Sequence, residues 1–145
     1  MRGVRIGLLT GAAFAGIVAL AASPRHQAPA ISQIATTTQV IQVTGDKYAF
    51  TPSEIHVRKG TRVEFTLHCV DKEHGVKFDV YPEGAKKKGP PRLQFEGKPE
   101  TGKVGKGKDG SVTFVAVEPG TYEFKCSVFC GFGHGRMKGK LIVEE

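Results

Sequence analysis

Tryptophan is absent from this chain of 145 residues, and methionine occurs only twice, one of them the initiator. With no histidine-rich tract either, the sequence lacks the Met-rich or His-rich surfaces that exposed metal-delivery sites favour. Neither a phosphate-cradling glycine loop nor a serine-elbow motif is present, which removes phosphoryl transfer and serine hydrolysis from consideration. No segment carries a convincing amphipathic helical period and none repeats another, so helical bundles and solenoids are excluded. Lysine and arginine outnumber aspartate and glutamate by 21 to 14. The basic stretches lack interleaved aromatics, which argues against nucleic acid as a partner.

What remains is a chain of short strands. Ser111-Val-Thr-Phe-Val-Ala-Val117 alternates apolar and polar residues, Glu118-Pro-Gly120 turns, and Thr121-Tyr-Glu-Phe-Lys125 resumes the alternation. Further strands are expected over Thr61–Cys69, Lys77–Tyr81 and Gly139–Val143. The fold class predicted for residues 37–145 is all-β, a Greek-key β-sandwich of single-domain size. Before it, Arg2 and Arg5 precede an apolar run from Ile6 to Ala22, and Ala19-Leu-Ala21 resembles a cleavage site. Residues 1–22 therefore read as a signal peptide or a single membrane anchor, and 23–36 as a flexible linker. Either reading sends the domain to the periplasm or the extracytoplasmic face of the membrane. Residues 82–110 concentrate lysine, glycine and proline, and read as an exposed, mobile basic loop.

One segment of twelve residues carries chemistry. In Cys126-Ser-Val-Phe-Cys-Gly-Phe-Gly-His-Gly-Arg-Met137, two cysteines, His134 and Met137 are spaced four, four and three apart. Thiolate, imidazole and thioether together suit copper, and the thioether sets the site apart from ordinary zinc. The segment joins two strands, and Gly131, Gly133 and Gly135 let it turn tightly. A further ligand is expected from elsewhere. His74 is the first candidate, at a bend between strands beside Gly75; His56 and His68 fall inside strand-like stretches and are weaker. A Cys126–Cys130 disulfide, a redox dithiol and structural zinc are the plainer readings, and each leaves Met137 unexplained. Cys69, on an alternating strand, reads as a small buried thiol.

These residues resemble the binuclear copper (CuA) loop of cytochrome c oxidase subunit II and nitrous oxide reductase. That pattern, Cys-x3-Cys-x3-His-x2-Met, is matched by Cys126, Cys130, His134 and Met137, and Asp71 with His74 matches the upstream histidine motif. The resemblance runs from about Tyr48 to Val143, includes Phe50-Thr-Pro-Ser-Glu-Ile-His-Val-Arg-Lys-Gly60, and is greatest to subunit II of ba3-type oxidases. It implies a cupredoxin-like sandwich holding two copper ions. By resemblance, Cys126 and Cys130 bridge the metals, and His74 and His134 each bind one. Met137 and the Val128 carbonyl are the weak ligands. A valine at 128 leaves out the carboxylate that many oxidases use for magnesium.

The resemblance further implies electron transfer from a periplasmic donor such as cytochrome c to a membrane oxidase or another reductase, without catalysis by this chain alone. A mononuclear blue copper site and a copper-delivery protein are the competing readings. In a blue site a histidine follows the strand-end cysteine within a few residues, whereas here the next histidine is His134. The tryptophans that many oxidase subunits use for electron entry are missing; Phe129 and Phe132, beside the ligands, are expected to shield the metals. The basic loop is suited to steering an acidic partner.

Overall fold

The computed structural model describes residues 37–145; the segments 1–22 and 23–36, on which the signal, anchor and linker expectations fall, lie outside that range. The strands are β1 (Thr38–Asp46), β2 (Ala49–Thr51), β3 (Glu54–Arg58), β4 (Arg62–Cys69), β5 (Val76–Phe78), β6 (Leu93–Phe95), β7 (Asp109–Ala116), β8 (Gly120–Cys126) and β9 (Lys138–Glu144). They form two sheets, ordered β2-β1-β4-β7-β6 and β3-β9-β8-β5. Two of the pairings, β1 with β4 and β3 with β9, are parallel, and the others are antiparallel. No helix among the described residues is long and apolar enough to cross a membrane.

Period-two alternation decides which side chains meet between the sheets. On β4 it buries Val63, Phe65, Leu67 and Cys69; on β8 it buries Tyr122, Phe124 and Cys126. Cys126 thus faces inward for the same reason as Phe124. The centre is aromatic: Phe78 lies 5.1 Å from Phe65, edge to face, and within 5.6 Å of Phe95, Phe114 and Phe124. Truncating such a residue to alanine costs roughly 3–5 kcal/mol, so this cluster anchors both sheets. Near the β7–β8 turn, the buried Tyr122 hydroxyl donates to the Glu118 carbonyl at 2.7 Å. Burial first, and then the Glu118 charge, push the Tyr122 phenol up to about 12.

The segment 82–110 departs from the single exposed loop that its composition suggests. Residues 83–91 are exposed, as expected. Beyond them, Leu93 is fully buried on β6, Val104 is buried, and β7 already begins at Asp109. Isolated bridges tie Val104 to His74 and Glu100 to Lys77. Three apolar side chains (Leu93, Phe95 and Val104) are enough to draw this half onto the core, an effect masked by the surrounding lysines and glycines. The basic residues are consequently divided. Lys86, Lys87 and Lys88 lie on the exposed stretch, whereas Lys103 lies beside the residue bridged to His74.

Candidate metal centre

The evenly spaced C-terminal segment becomes a closed ring in space. Cys126 is the last residue of β8 and Met137 immediately precedes β9; the Cys126 amide donates to the Met137 carbonyl at 2.9 Å. Inside the ring, a 3₁₀ turn over His134–Arg136 is secured by His134 N–H to Gly131 O at 2.9 Å and Met137 N–H to His134 O at 3.1 Å. Gly133 is required by close approach, because a Cβ there would overlap the Tyr48 ring. Gly135 meets nothing within 4 Å and has no such need.

The second segment arrives through the sheet. β5 pairs with β8 so that Val76 faces Cys126, which sets His74 beside the ring. His74 is fully buried, and its backbone exchanges hydrogen bonds with Val104 at 3.0 and 2.8 Å. Its Nε2 pairs with Asp71 Oδ1 at 2.8 Å, which orients the imidazole with Nδ1 toward the sulfurs. Burial alone would raise the Asp71 carboxyl; the hydrogen bond and charge of His74 outweigh it and hold the group below its ordinary value.

The donor atoms converge. Cys126 Sγ lies 3.8 Å from Cys130 Sγ, 4.0 Å from His74 Nδ1 and 3.1 Å from the Val128 carbonyl oxygen. Cys130 Sγ lies 3.8 Å from His134 Nδ1 and 3.9 Å from Met137 Sδ. Metal–thiolate bonds of ~2.3 Å and metal–imidazole bonds of ~2.0 Å span tetrahedral edges of about 3.5–3.8 Å, so the spacing fits a soft metal ion. The ligand atoms of His74, Cys126 and Cys130 are all within 4.8 Å of one another, and His134 is not part of that group. The two imidazoles flank different sulfurs. All three cysteines are free thiols in this structure. Burial first, and then the neighbouring Cys126, push the Cys130 thiol up to about 11. Without metal it is therefore protonated at neutral pH.

The structure thus brings together His74, Cys126, Val128, Cys130, His134 and Met137, and keeps His56 and His68 away. His56 on β3 sits between Glu54 and Glu144, at 3.1 and 2.9 Å, and His68 on β4 pairs with Asp109 at 2.6 Å. Cys69 is fully buried, and burial is the first cause of its raised thiol pKa. The phenylalanines correct an expectation: Phe129 and Phe132 are both exposed, and neither roofs the site. Phe129 only approaches the His134 ring, at 5.9 Å between centroids. Residues in a loop this short have no apolar wall left to cover, because Met137 and the sheets already enclose the sulfurs.

Two neighbours escaped the sequence reading. Gly45 on β1 is flush with the site; a Cβ there would stand 3.3 Å from Met137 Cε and 3.4 Å from His74 Cδ2. Lys72 donates through Nζ to the Cys130 carbonyl at 2.8 Å. Gly45 carried no local signal, since its contacts arise from strand pairing. Lys72 looked like one more surface lysine.

Known proteins agree with this architecture. The chain is 25% identical over 118 residues to a cytochrome c oxidase subunit 2 from Thermus thermophilus, covering 81% of this chain and 75% of that protein. Auracyanin A, described as a "blue" copper protein from Chloroflexus aurantiacus, superposes with a TM-score of 0.57 at 20% identity, over 74% of this chain and 99% of that one. A chain of a heme-copper terminal oxidase dimer superposes with a TM-score of 0.54 at 23% identity, over 78% of this chain and 68% of its own length. At such identities the superpositions speak for the fold. Residues 11–143 match the model of the cupredoxin-like domain, and with a match over nearly its whole length the chain belongs to that family.

Proposed function

We propose that this cupredoxin domain is an electron carrier with a binuclear CuA-type copper centre. In this reading Cys126, Cys130, His74 and His134 would hold two copper ions between them, with Met137 and the Val128 carbonyl as weak ligands. Copper, when bound, supplies a one-electron couple. The observation that carries the reading is the placement of the two imidazoles, each about 4 Å from a different sulfur of one thiol pair. A single-ion site would be better served by both histidines on the same sulfur.

The chain's own groups are suited to this work. Asp71 holds the His74 Nε2–H and leaves Nδ1 as the donor. The ring closure between Cys126 and Met137 keeps the loop in one geometry, which limits rearrangement on electron transfer. Metal uptake displaces the thiol protons, including the one that Cys130 retains at neutral pH. The full reading places the domain on the extracytoplasmic side. It takes electrons from a donor such as cytochrome c and passes them to a terminal oxidase or reductase, as the oxidase subunit relative suggests.

Copper content and the EPR spectrum of the loaded chain test the proposal. Two coppers per chain with a seven-line pattern are expected, and Cys126→Ser should abolish both. One copper with a four-line pattern would mean a mononuclear site of the blue type. A Cys126→Ser chain with unaltered copper and spectrum would refute the ligand assignment.

A further inference from the structure

Lys72 lies two residues before His74 and reaches across to the other ligand-bearing segment. Its Nζ donates to the carbonyl of Cys130 at 2.8 Å and stands 5.8 Å from the centre of the Tyr48 ring. That ring is packed against the ligand loop: a Cβ on Gly131 would fall 2.6 Å from the Tyr48 hydroxyl oxygen, and one on Gly133 would overlap the ring itself. Tyr48 adopts φ +73° in the tight connection between β1 and β2, a left-handed conformation that a ring-bearing residue rarely takes. Such backbone strain persists where the surrounding contacts over-determine it. One ammonium therefore joins three segments: the β1–β2 turn, the turn carrying His74, and the loop carrying both cysteines.

We propose that Lys72, backed by Tyr48, is a positioning residue that sets the Cys130 side of the centre and favours its reduced state. This rests on the copper electron-carrier reading. On reduction the centre gains one electron from its donor and no proton, so its net positive charge falls by one. A fixed cation hydrogen-bonded to the carbonyl of a ligating cysteine stabilises the less positive form and raises the potential. Lys72 is itself exposed, so water and salt screen its charge in part, and its effect depends on the charge being held at a fixed place. The contact with Tyr48 and the hydrogen bond to Cys130 hold this charge in place.

The test uses the full chain loaded with copper(II) sulfate, and compares Lys72→Met, Lys72→Arg and Tyr48→Leu with Lys103→Met. Lys103 is a nearby lysine engaged with Glu73 at 2.8 Å, and it controls for general surface charge. Lys72→Met should shift the redox equilibrium toward the oxidised form by about tenfold, some 59 mV for one electron. It should also hasten copper release to a chelator. Lys72→Arg should restore most of both, Tyr48→Leu should hasten release with a smaller change in potential, and Lys103→Met should change neither. In the metal-free chain, hydrogen exchange of the amides of 131–137 should quicken in Lys72→Met and not in Lys72→Arg. Equal potentials in Lys72→Met and the parent, or equal falls in Lys72→Met and Lys103→Met, would overturn the electrostatic role. Unchanged amide exchange would overturn the clamp. A parent chain without two coppers would count against the binuclear reading, while the exchange measurement would still decide the clamp.

Discussion

Tyr122 and His74 are both fully buried, near opposite ends of the sandwich, and each has a polar group to satisfy. Tyr122 spends its hydroxyl on the Glu118 carbonyl four residues back, so the β7–β8 end is closed by the fold itself. His74 spends only Nε2, on Asp71, and turns Nδ1 toward Cys126. At that end the Cys126 thiol, the His134 imidazole and the Met137 thioether each come within about 4 Å of the Cys130 sulfur. A core that merely wanted stability would hold apolar groups there, since buried polar atoms are costly unless fully paired. The difference separates a fold that is complete from a site that is finished by a cation.

The contrast can be broken most forcefully by supplying the cation. Copper at a thousandfold excess over its Kd should stabilise the chain by about 4 kcal/mol per ion bound. Melting with and without copper checks this, and the same increment is expected in a Tyr122→Phe chain. Next in size, Gly133→Leu should drive a side chain into the Tyr48 ring and cost about 1–3 kcal/mol in the metal-free protein. It should also reduce the copper increment, which Gly135→Ala should leave intact; chemical denaturation of both variants compares them.

Tyr122→Phe should cost about 1–2 kcal/mol by leaving the Glu118 carbonyl without its donor, with copper content unchanged. Its pH signature has a definite sign. The folded phenol titrates near 12 and the unfolded one near 10.0. The proton is therefore retained by the fold and lost by the unfolded chain between these values, and stability falls as pH rises through that window. Denaturation at pH 9 and 12 should show this part of the alkaline loss in the parent and not in Tyr122→Phe. Smallest of all, replacing Lys86, Lys87 and Lys88 with glutamine should move stability by no more than about 0.5 kcal/mol and leave the copper spectrum alone.

The sequence was most readable where a function is packed into a short stretch. Cys126, Cys130, His134 and Met137 share one loop, so their spacing was visible before any contact was known. The strands were equally visible, because alternation is a local property; Lys77–Tyr81 shortened to Val76–Phe78 only where pairing with β8 ended. The bend and Gly75 marked His74 as a candidate, but its partner Val104 could not be foreseen. That contact closes thirty residues of lysine-rich chain whose few apolar residues were outnumbered. Gly45 and Lys72 stayed hidden for a related reason. Each meets the centre through strand pairing or a turn conformation, neither of which leaves a pattern in composition.

The hydrogen bond between the Cys126 amide and the Met137 carbonyl has a consequence for how such a protein can change over generations. It makes the ligand loop a bounded insert whose two ends meet on neighbouring strands. Substitutions, insertions or deletions within it can alter what is held without disturbing the register of β8 and β9. The sandwich is inherited as a chassis, and the loop is free to diverge upon it.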